Sequence, residues 1–177
     1  MILKLNARNI VILILVGLAI IARLIPHWPN FTPVAAIALF CGCYLKDRRW
    51  AIAIPIIVML ISDMILFISK GYSPSVSVYA SLMLISTLGF LLKGREQRQT
   101  IMVASLVGSL IFFFVTNFGV WLLNDYYSKN LAGLATCYIK AIPFFRYTVM
   151  GDLFFNLLLF GSFALIRWRK PALLKAD

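Results

Sequence analysis

The chain is poor in the residues from which most catalytic and metal sites are built. It has one histidine, His27, which removes most histidine-rich metal centres from consideration. Its cysteines are three, an odd number without framework spacing, and two of them lie in one apolar run, so no disulfide scaffold is implied. "CGC" at 41–43 reads as small residues on a packing face rather than as a metal or redox pair, because free cysteine behaves as a small hydrophobe. There is no Walker sequence, no HExxH, and no serine or cysteine beside a base at a workable spacing. Neither an enzyme nor a cofactor is expected. Acidic residues are also scarce, six against 17 Lys and Arg, which gives a net charge of +11. The basic residues lie between apolar segments and form no patch interleaved with exposed aromatics, so nucleic acid is not the expected partner.

What the chain has instead is apolar length. It is 62% hydrophobic with a mean hydropathy of +0.94, against about 45–50% apolar in ordinary soluble domains. A chain of 177 residues cannot hide that much apolar surface in a core of its own. The expected class is an all-α integral membrane protein, one domain over residues 1–177, with the lipid bilayer as solvent. Apolar runs of about 20 residues give six spans: 8–24, 33–45, 50–69, 75–92, 100–124 and 145–167. The first is read as a retained anchor, since Arg-Leu-Ile-Pro-His follows it where a signal peptide would have a small-x-small cleavage site. Pro55 lies inside the third span and is expected to bend it.

Twelve of the 17 basic residues fall on the side that holds both termini. Five, Arg23, Lys70, Lys129, Lys140 and Arg146, fall on the other. The excess alternates loop by loop, which an odd number of spans would break, and it places both termini in the cytoplasm.

"RLIPHWPNFTPVAA" at 23–36 interrupts this pattern with an arginine, the histidine, an asparagine and three prolines. From Pro33 to Leu45 the chain offers only about 20 Å of helix, short of the roughly 30 Å hydrocarbon core. Thr32 as N-cap and Pro33 at the first helical position make a good helix start. Residues 23–33 are therefore expected to dip inward as an irregular plug or wall over an outward-facing cavity. The alternative is an ordinary external loop with a helix that merely starts early.

Ionisable side chains inside spans are costly and point to function by default. With the deduced orientation, Asp63 lies in the outer part of the third span, Asn117 in the outer half of the fifth, and Asp152 and Asn156 one turn apart in the outer half of the sixth. Arg23 ends the first span, His27 and Asn30 follow it, and Arg146 opens the sixth. Their convergence on one leaflet predicts a polar pocket open to the outside and closed towards the cytoplasm. Each has a plainer reading. Asp63 pairs with Arg23 or Lys70, Asp152 pairs with Arg146, Asn117 joins helices, and His27 is interfacial. Trp28, Trp121 and several tyrosines form an aromatic belt. Trp121, one turn beyond Asn117, is the best placed to stack on a bound molecule. Residues 131–144 are too short to span, end at Pro143, and are read as an interfacial helix or a lid. Mixed Arg and Asp suit a polar or zwitterionic ligand, and equally a structural ion pair.

"ARLIPHWPNFTPVAAIALFCG", "ISD", "FFVTNFGVWL" and "PFFRYTVMGDLFFNLLLFG" together resemble the DUF6580 family of small bacterial membrane proteins, over roughly residues 22–163. That family is grouped with the substrate-binding S components of energy-coupling factor (ECF) transporters. The resemblance implies a six-helix bundle in the bacterial cytoplasmic membrane that captures a micronutrient, typically a vitamin, from the outer side. It would dock on a transmembrane coupling subunit served by cytoplasmic ATPases. The residues expected around the ligand are Arg23, His27, Asn30, Asp63, Asn117, Trp121, Arg146 and Asp152. S components commonly carry an AxxxA-like docking stripe on the first helix. Here "VILILVGLAIIA" has no clean repeat, while Ala38 and Gly42 on the second span form a small-xxx-small pair. A scaffold protein whose polar cluster only locks the bundle is the alternative function.

Overall fold

The computed structural model describes residues 6–25, 28–71 and 74–174. The elements are helices α1 (Ala7–Leu24), α2 (Val34–Tyr44), α3 (Arg48–Lys70), α4 (Val76–Phe90), α5 (Arg98–Leu123), α6 (Leu131–Arg169) and the four-residue α7 (Pro171–Leu174). No strand occurs among the described residues. Helices α1, α3, α5 and α6 are long and apolar enough to cross a membrane, whereas α2 and α4 are shorter apolar helices.

Local chemistry sets the helix ends. The side chains of Asn6, Asp47 and Asn130 accept from the backbone N–H of Asn9, Arg49 and Gly133 at 2.8–2.9 Å, capping α1, α3 and α6. Gly71 ends α3 in the left-handed region at φ 67°, with its N–H on Phe67 O at 2.9 Å. Helix α2 starts one residue later than expected. Pro33 is its N-cap, with no side-chain cap. At its other end Arg8 Nη2 donates to Tyr44 O at 2.8 Å and Lys93 Nζ to Leu45 O at 2.7 Å. Two cations thus satisfy carbonyls at the negative end of the helix. Burial, and then the neighbouring Arg48, holds the Lys93 ammonium below the ordinary lysine pKa.

Helix α2 is the axis of the bundle. All eleven of its residues are buried, and it packs against α1, α3, α4, α5 and α6. Its shortness follows from this position. Non-helical backbone beside a short helix is tolerated at depth when protein covers it. Gly42 and Gly89 bring α2 and α4 together, since a Cβ on Gly42 would lie 2.9 Å from Gly89 Cα. The Ala38–Gly42 pair is therefore used inside the bundle and is not a free docking stripe. Phe40 and Tyr44 complete the axis by packing on Phe160 and Phe163 of α6, with ring centroids 4.1–5.7 Å apart.

The largest departure from expectation is α6. Residues 131–144 are not a separate helix. They are the first part of one 39-residue helix that runs through Pro143, about 58 Å long. The proline removes one backbone donor, and packing on α5 holds the helix on both sides of it. Tyr138 OH donates to Phe114 O at 2.8 Å, and the tilted Phe113 and Phe145 rings pack with centroids 4.9 Å apart.

Candidate functional site

The polar residues gather at the end of the bundle opposite the Lys93 turn. At the last turn of α1, Arg23 is buried and its Nη2 lies 2.5 Å from Asp63 Oδ1 on α3. Its Nη1 donates to Ser62 Oγ. Tyr79 OH on α4 donates to Asp63 Oδ2 at 2.7 Å. Both oxygens of Asp63 are therefore engaged, and three helices are tied at one point. Removing either member of such a buried pair leaves an uncompensated charge, which costs about 3–5 kcal/mol.

Asp152 on α6 is as deeply buried but differently served. Ser109 Oγ on α5 donates to its Oδ2 at 2.6 Å. Among the described residues, no group donates to Oδ1 and no cation pairs with the side chain. One turn along, Asn156 Nδ2 donates to Ser105 Oγ at 2.9 Å. Thr148, Asp152 and Asn156 follow each other at intervals of four on one face of α6, all buried.

The segment before α2 forms a wall here. Asn30 takes the left-handed conformation at φ 64°, which Asn adopts more readily than most residues. Phe31 and Thr32 then press against α6. A Cβ on Gly151 would lie 3.1 Å from both Phe31 Cα and Thr32 N. Phe31 packs on Phe154 and Phe155, and Trp28 on Tyr147, at centroid distances of 5.6–6.0 Å.

Beneath this wall is a cavity of about 80 Å³, lined by Arg23, Asn30, Val34, Ala35, Thr148 and Asp152 among others. It adjoins a second of about 270 Å³, with Asn30, Val78, Phe112 and Thr148 lining both. Phe113, Asn117, Phe144 and Phe145 also line the second. A third, about 460 Å³, shares Asn117 and Phe144 with it and reaches Tyr127 and Lys140. The series narrows from an open, mostly apolar mouth to a polar pocket at Asp152.

The expected residues are thus sorted. Arg23, Asn30 and Asp152 line the inner cavity, Asp63 lies behind Arg23, and Asn117 lines the wider one. Asn117 Nδ2 donates to Phe113 O of its own helix at 2.8 Å. Two residues lie elsewhere. Arg146 is exposed over the Tyr147 ring and makes no ion pair with Asp152. Trp121 donates to Ser128 O at 2.9 Å and packs on Phe118. His27 lies outside the described residues. Ser62, Tyr79, Ser109 and Thr148 were not anticipated, although the spacing of four from Thr148 to Asp152 was a legible signal.

No curated protein and no solved structure matches the chain. The model of DUF6580, a family of unknown function, matches residues 3–173, and the chain belongs to that family.

Proposed function

We propose that the chain is a multi-pass protein of the bacterial cytoplasmic membrane, with six helices crossing or embedded in it and both termini cytoplasmic. In this reading it captures a small polar, micronutrient-like molecule from the outer side, in the manner of the ECF S components it resembles. The distribution of basic residues supports the orientation, and the four long apolar helices support the membrane placement. The observation that carries the functional reading is Asp152. It is a buried carboxyl group with one oxygen unpartnered among the described residues, in the smallest of a series of adjoining cavities. Buried ionisable groups are nearly always paired. Asp152 is served by one hydroxyl, which leaves a position for a ligand group. Transfer onward would use a transmembrane coupling subunit and cytoplasmic ATPases. Ile10, Ile14 and Leu18 on the exposed face of α1 offer large apolar side chains to lipid or to such a subunit.

One observation favours the scaffold reading. The Arg23–Asp63–Tyr79 network is complete without any ligand.

The test is purification of the tagged protein from native membranes in mild detergent, with mass spectrometry of every protein and small molecule retained. Capture predicts a small polar molecule in the wild type that is lost in Asp152→Asn while the variant stays folded. A coupling subunit and ATPases in the same sample would support the ECF arrangement. A wild-type protein that comes through alone and empty favours the scaffold.

A further inference from the structure

Resting on the capture reading, we propose that the ligand is a small zwitterion, an α-amino acid or a molecule of that pattern, with an apolar body beside its two charges. The two poles of the inner cavity carry this. One pole is the start of α2. Its first internal bond is Ile37 N–H to Pro33 O at 2.8 Å, and no side chain caps it. The N–H groups of Val34, Ala35 and Ala36 therefore have no acceptor among the described residues, although all three residues are buried. The first N–H groups of a helix have no acceptor within it and are served by water, side chains or a ligand. Grouped at a helix N-terminus they make an anion site, and Val34 and Ala35 line the cavity.

The other pole is Asp152, whose Oδ1 is unpartnered in the same cavity. The charged groups nearest it on the packed elements do not neutralise it. Arg23 of α1 is engaged by Asp63 of α3, which also holds Tyr79 of α4. From α5 it receives only the Ser109 hydroxyl. A dianion would meet the Asp152 carboxylate, and a dication would meet Arg23 and the α2 N-terminus. A carboxylate at α2 with an ammonium at Asp152 satisfies both poles at once.

Size agrees with charge. About 80 Å³ is room for several waters, enough for a carboxylate and an ammonium one carbon apart. The adjoining 270 Å³, walled by Phe112, Phe113, Phe144 and Phe145, takes an apolar side chain.

The experiment titrates the purified full chain with each of the twenty α-amino acids, reading thermal shift and calorimetry. The methyl ester and the N-acetyl form of the best binder follow. At least one amino acid binds, and masking either charge weakens it roughly ten- to a hundredfold, as expected for hydrogen bonds to charged groups. Asp152→Asn, checked for fold by circular dichroism, no longer distinguishes the free from the N-acetylated amine. Masked forms that bind as tightly as the amino acid, or no binding by any of the twenty, overturn the proposal. A different molecule retained from native membranes would then keep capture and exclude the zwitterion. No retained molecule of any kind would remove both.

Discussion

Asp63 and Asp152 are two carboxyl groups buried to the same degree in one half of the same bundle, at 1% and 2% exposure. Their surroundings differ. Asp63 has a guanidinium on one oxygen and a phenol on the other. Asp152 has a single serine hydroxyl and faces a cavity. The difference separates a group that closes the fold from a group that waits for something else. Depth alone, which is equal here, does not make that distinction. Counting the partners of each oxygen does.

The comparison can be broken most forcefully at Asp63. Asp63→Ala removes the carboxylate that pairs with Arg23, and thermal unfolding in detergent should show a loss of about 3–5 kcal/mol. A variant of wild-type stability would mean that the ion pair does not close the fold. Next in size is Gly42→Ala at the α2–α4 crossing. The added Cβ meets the backbone of Ser86 and Gly89, so overpacking should cost about 1–3 kcal/mol. Asp152→Asn should cost less, on the order of 1 kcal/mol for a weakened bond to Ser109, while abolishing ligand retention measured by mass spectrometry. Smallest is Arg146→Gln. This exposed residue should change stability by no more than about 0.5 kcal/mol and leave ligand retention as it was. A ligand effect there would bring the wider mouth of the cavity into the binding site.

Much of the fold could be read directly from apolar runs. The first five helices fall within two residues of their expected ends. The sixth did not. Pro143 in a polar-flanked stretch reads as a terminator, and long-range contacts with α5, among them those of Cys137, Tyr138 and Phe145, hold the helix on both sides of it. The site was legible in part for the same reason. The four-residue spacing of Asp152 and Asn156 fixes a shared face, but nothing local specifies that Ser109, 43 residues away, stands opposite. Trp121 was placed towards the ligand by its turn relation to Asn117. Its indole N–H needs an acceptor, and the Ser128 carbonyl in the following turn supplies one. Arg146 finds Tyr147 next to it in the chain before it can reach Asp152.

The most direct test sets the two carboxyl groups side by side. Asp63→Asn and Asp152→Asn would be purified in parallel with the wild type, and each would be measured for melting temperature and for small molecules retained from native membranes. The account predicts that Asp63→Asn melts well below the wild type, and that Asp152→Asn melts close to it yet comes through empty. An Asp152→Asn protein that keeps the wild-type small molecule, or that loses as much stability as Asp63→Asn, would contradict it.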